Sequence, residues 1–138
     1  MKLVLTQKEK IDLNSVLNTD VSHSDGSDLI FIGKVRDTSR GKKVTYIDYE
    51  IYNEMAVKEL NRIADEASAN HETGRIVIIH RYGRVTLGET SILILVSSPH
   101  RDSSYQASRY IIDEIKKRVP IWKKEFYEDG SEWITDRS

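Results

Sequence analysis

Seven cations fall between residues 100 and 124: Arg101, Arg109, Lys116, Lys117, Arg118, Lys123 and Lys124. Asp102, Asp113 and Glu114 offset three of them, so this stretch carries +4 in a chain whose formal net charge is -1. Such a concentration predicts a local anionic ligand rather than general stickiness. His100-Arg101 follows an apolar run, Lys116 closes a helical pattern, and Lys123 lies just past Pro120. Arg36, at the end of an earlier apolar run, adds another cation. Arginine grips a phosphate with two parallel hydrogen bonds and keeps its charge. A lysine among other cations has its charged form disfavoured, so its pKa falls from ~10.4 toward the range where it exchanges protons near neutrality. The set therefore divides into phosphate holders, Arg36, His100 and Arg101, and proton movers, Lys116 and Lys123. For any single lysine a plainer reading competes, because the helix dipole alone favours a cation near a C-terminus by ~0.3–1 kcal/mol.

Other chemistries fare worse. The chain has no cysteine, which removes disulfides, thiolate metal sites and a cysteine nucleophile together. Gly83 to Thr90 has the glycine spacing of a phosphate loop, but Glu89 stands where the lysine is required, so the segment reads as turns. His23, His71, His80 and His100 show no metal-ligand spacing, and no metal or other cofactor is expected. His80-Arg81 lies inside a predicted strand, where satisfied packing is the better reading. Trp122 and Trp133 suggest packing before base stacking, and no serine sits in a nucleophile elbow. The near-neutral balance argues against broad nucleic-acid binding.

The elements that must position these groups fit one domain over residues 1–138, since 138 residues with 38% apolar and 31% charged content match an ordinary globular unit. No apolar run approaches the ~20 residues of a membrane span, and a cytoplasmic setting is expected. Residues 1–28 are poorly defined, with a short strand from Lys2 to Thr6 and a short helix around Ile11 to Leu17. Leu29 to Val35 reads as a strand in which Gly33 marks a bulge or a close backbone approach. Val44 to Tyr52 alternates as a second strand, expected to pair antiparallel with the first. Asn53 is placed to cap a helix whose Ala56, Leu60, Ile63, Ala64 and Ala67 share one face. Arg75 to Tyr82, Val85 to Leu87 and Ser91 to Ser98 follow as strands, the unbroken Ile92 to Val96 run being central and buried on both faces. Ser103 with Gln106 forms a candidate capping box for a second helix, lined inwardly by Ser108, Ile111, Ile112, Ile115 and Val119. Pro120 stops that helix. Five carboxylates against Arg137 make the last fourteen residues acidic. The class is α+β, two main helices against a mostly antiparallel sheet.

Gly33-Lys34-Val35-Arg36, Tyr49-Glu50 with Met55-Ala56, His80-Arg81-Tyr82-Gly83, Gly88-Glu89, His100-Arg101 and Pro120-Ile121-Trp122-Lys123-Lys124-Glu125, in this order and spacing, resemble the large, catalytic subunits of molybdopterin synthase. The resemblance runs from about residue 29 to the end. It departs from the family at Asp102-Ser103-Ser104-Tyr105, where alanine and phenylalanine are more usual. It implies an α/β-hammerhead fold and a central homodimer with a small ubiquitin-like sulfur carrier at each end, a heterotetramer. It also implies a reaction, the passage of two sulfurs from thiocarboxylated carrier tails to cyclic pyranopterin monophosphate. The family's substrate-contacting positions fall on Lys34, Val35, Arg36, His100, Arg101, Lys116, Lys123, Lys124 and Glu125. With no cysteine to carry sulfur, the chain must receive it on a partner. Two other classes compete: a phosphate-ligand or RNA-binding module using the same basic patch, and a dimeric scaffold that only holds a ubiquitin-like partner.

Overall fold

The computed structural model describes residues 1–135, so Asp136 and Arg137 of the acidic tail lie outside the described residues. Nine strands and three helices follow in the order β1 (Lys2–Gln7), α1 (Leu13–Leu17), β2 (Ser27–Lys34), β3 (Thr38–Ser39), β4 (Lys42–Ile51), α2 (Asn53–Asn70), β5 (Ile76–Arg81), β6 (Gly83–Thr86), β7 (Thr90–Ser98), α3 (Arg101–Arg118), β8 (Ile121–Tyr127) and β9 (Glu132–Thr135). The α+β class, the mostly antiparallel pairing and the two long helices agree with the sequence reading, in a hammerhead-like arrangement of two sheets.

The first sheet has the order β1-β5-β7-β2, with only β1 and β5 parallel. Its inner strands β5 and β7 are almost wholly buried, because both faces are covered. Ile76, Ile78, Ile92, Ile94 and Val96 meet α2 and α3, whose inward residues include the five of α2 expected from the sequence. Val77, Ile79, Leu93 and Leu95 point the other way, against Val16 of α1 and its neighbours Ile11 and Leu13. The N-terminal segment, whose short strand and short helix were expected but not their role, thus covers the second face. Alternation along a strand explains why one apolar run serves two cores.

The second sheet runs β3-β4-β8-β9, with β6 also on β4. Here the expected pairing of the first two sharp strands fails: β2 pairs with β7, while β4 pairs with β3, β6 and β8. Alternation in each strand announces a half-buried surface but does not specify a partner. Strands β8 and β9 were not foreseen. The caps differ too. Tyr52 and His100 cap α2 and α3 from extended backbone without a side-chain bond, Asn53 is already helical and takes the Thr6 hydroxyl, and Ser103 lies inside the first turn. Gln106 donates to Asp102 Oδ2 at 2.9 Å instead of capping.

Candidate active site

A cavity of roughly 200 Å³ opens where the two sheets meet the last turns of α3. Its wall carries Lys34, Arg36, Lys116 and Lys123 against one carboxylate, Glu125. Each cation arrives by a distinct local device. At Gly33 the β2–β7 register shifts, and a Cβ there would lie 2.7 Å from Ile92 Cγ2, so only glycine lets the strands close at this bulge. Past the bulge Val35 is buried, its N–H bonding Glu89 O at 3.1 Å and its carbonyl accepting from Gly88 at 2.9 Å, while Lys34 and Arg36 on either side reach the cavity. Lys116 stands in the last turn of α3, on the face of Ile112 and Ile115. Lys123 and Glu125 lie two apart on β8, opposite Tyr49 and Ile47 of β4, so all four share the cavity face.

The same two-residue period turns Lys124 away. It pairs with Glu132 at 3.3 Å and lies over the Phe126 ring on the outer face. Glu125 is 4% exposed and fully engaged: Ser39 Oγ and Tyr127 OH each donate to Oε1 at 2.9 Å, and Lys123 Nζ is 3.6 Å from Oε2. It fixes the Lys123 ammonium on the cavity wall. Among the described residues Lys34, Arg36 and Lys116 have no carboxylate within 4.0 Å, unlike Arg109 with Asp113 or Arg118 with Glu59, Glu66 and Glu114. Lys116 shares the last turn of α3 with Arg118, so the dipole favours both, but only Arg118 is also held by carboxylates. Partial burial first, and then the nearby charge of Lys123, hold the Lys116 pKa below the ordinary lysine value, although the side chain keeps access to water. Burial above all, and then Glu125, keep Tyr49 protonated.

Of the residues singled out from sequence, Lys34, Arg36, Lys116, Lys123 and Glu125 are brought together, and Val35 and Lys124 are not. His100 and Arg101 are exposed at the opposite end of α3, fifteen residues from Lys116 in the case of Arg101, or about 22 Å of helix at 1.5 Å per residue. Sequence reasoning missed His80 and Tyr49, which line the cavity floor. The signal for His80 was its parity, since it continues the Ile76, Ile78 face of β5. Among the described residues no three His, Asp or Glu side chains converge as a metal would require.

Fold and cavity together define an α+β protein whose cavity gathers four cations around one carboxylate, one of them, Lys116, held below the ordinary lysine pKa. The chain belongs to the MoaE protein family, whose profile matches residues 6–118, and which comprises enzymes of molybdenum cofactor biosynthesis. Two relatives named molybdopterin synthase catalytic subunit, from Halalkalibacterium halodurans and Pyrococcus abyssi, are each 42% identical, over 94% and 96% of this chain and 83% and 90% of their own. The crystal structure of molybdopterin synthase from Staphylococcus aureus superposes with a TM-score of 0.88 at 37% identity, covering 94% of both chains. The profile match takes in residues 6–28, which the resemblance read from the sequence left out.

Proposed function

We propose that this chain is a sulfurtransferase: it catalyses insertion of two sulfurs into cyclic pyranopterin monophosphate, each delivered as the C-terminal thiocarboxylate of a small ubiquitin-like carrier. The observation that carries this is the convergence of Lys34, Arg36, Lys116 and Lys123 on one small cavity in a chain without cysteine. Arg36 and Lys34 hold the phosphate. The carrier's tail enters extended and brings its thiocarboxylate to the two lysines. The sulfur attacks a pterin side-chain carbon, and a C–S bond forms as the C–O bond at that carbon breaks, its oxygen leaving with the phosphate or as water. Water then cleaves the acyl–sulfur bond, releasing the carrier carboxylate and leaving sulfur on the product. Lys116, with its depressed pKa, and Lys123, held by Glu125, move protons and stabilise the negative charge of these steps.

His100 and Arg101 join such a site only across a two-fold dimer, in which the α3 N-terminus of one protomer meets the other's cavity. Among the described residues no helix is long and apolar enough to cross a membrane, which accords with a cytoplasmic reaction. The test uses carrier thiocarboxylate bearing heavy sulfur: the label is expected in the dithiolene of the pterin product. Carrier that is bound but not consumed, with no label in the pterin, would contradict the reading and favour a scaffold that only holds its partner.

A further inference from the structure

His80 sits at the end of the helix-covered face of β5, 2% exposed, on the cavity floor. Its Nδ1 lies 2.8 Å from the Arg81 carbonyl oxygen. A carbonyl only accepts, so Nδ1 carries the proton and Nε2 keeps its lone pair. Among the described residues Nε2 has no hydrogen-bond partner, and the ring lines the cavity. Tyr49 meets the imidazole edge-on, ring centres 5.3 Å apart and planes at 72°, which fixes its orientation. Burial first and the charge of Lys116 second hold His80 down to about 4, against the pull of the Arg81 bond, so the ring is neutral near pH 7.

The groups lining the cavity around it are Tyr49 on β4, Lys116 on α3, Lys123 and Glu125 on β8, and Lys34 and Arg36 at the end of β2. The cations only donate, and Glu125 is already taken by Ser39, Tyr127 and Lys123. An imidazole lone pair is a stronger neutral acceptor than the remaining hydroxyls. A reduced pterin held by its phosphate must place ring N–H donors in the same small space.

We propose that His80 is a substrate-binding residue whose Nε2 accepts a hydrogen bond from an N–H of the bound pterin, opposite the cations that hold its phosphate. This rests on the reading that the ligand is a pterin phosphate. Calorimetric titration of the full chain with cyclic pyranopterin monophosphate, and separately with inorganic phosphate, tests it. His80→Leu is expected to raise the Kd for the pterin about 3- to 10-fold, the worth of one neutral hydrogen bond, and to leave phosphate binding unchanged. His80→Gln, which returns an oxygen near the Nε2 position, restores most of the affinity. Should the leucine variant fail to fold, His80→Asn, too short to reach, predicts the same loss. Pterin binding unchanged in a folded variant, or pterin and phosphate weakened alike, overturns the proposal. Failure of the wild-type chain to bind the pterin while it binds phosphate overturns the functional reading itself, and this inference with it.

Discussion

Lys116 titrates below the ordinary lysine range because burial and Lys123 both disfavour its ammonium. Nitrogen-detected NMR of the Lys116 side chain should show this directly, and Lys123→Gln should move the midpoint upward, since removing a like charge favours the charged form. An unmoved midpoint would leave burial as the sole cause. His80 gives a second pH signature. Its folded pKa, about 4, lies under the unfolded value near 6.5, so the unfolded chain binds more protons between them. The neutral ring's contribution is complete above pH 6.5 and is lost as pH falls toward 4, with a slope of about 1.4 kcal/mol per unit. Urea unfolding of His80→Phe across this window should show a correspondingly flatter dependence than wild type. At this scale the sequence was informative where charge was conspicuous: Arg36, Lys116 and Lys123 were legible as cations, and Lys34 only through the family resemblance. His80 was not, because a histidine in an apolar strand reads as packing until the cavity beneath it is seen.

Elements were legible where periodicity was long, as in α2 and α3, or an apolar run unbroken, as in β7, and illegible where partners decide. Nothing in Leu29 to Val35 and Val44 to Tyr52 distinguishes a hairpin from two strands in different sheets; the bulge at Gly33 and the pairing of β4 with β8 make that choice. Nor did residues 1–28 announce that α1 covers a sheet face. Arg75 secures it: 2% exposed, it donates to the carbonyls of Leu17 at 3.0 Å and Thr19 at 2.6 Å, to Ser97 Oγ at 3.0 Å, and pairs with Asp28 at 3.3 Å. Arg75→Leu should cost about 1.5–3 kcal/mol, the worth of a hydrogen bond to a charged group, since the part-buried Leu17 and Thr19 carbonyls that lose it can turn to water. Amide exchange over residues 13–19 should quicken well beyond the rest of the chain, and uniform quickening would show that Arg75 acts on the whole fold instead.

Across the whole molecule, the separation of His100 and Arg101 from the cavity is the feature that no reading of motifs could supply, since adjacency in a motif list says nothing about the two ends of an 18-residue helix. If the site is completed by a second copy, mixed dimers of Arg101→Ala and Lys116→Ala chains should recover activity from two inactive parents, because one of their two cavities is then intact. Recovery no greater than the parents' sum would show that Arg101 does not complete the partner's cavity.

Lys116 is proposed to move protons at this cavity. The decisive measurement is single-turnover formation of the dithiolene from cyclic pyranopterin monophosphate and thiocarboxylated carrier, with wild type and Lys116→Ala side by side. A folded variant that binds carrier and pterin yet forms product at least ~100-fold more slowly is the expected result, the low end of general acid–base contributions. Product at the wild-type rate would contradict it, leaving Lys116 as a helix-end cation and nothing more.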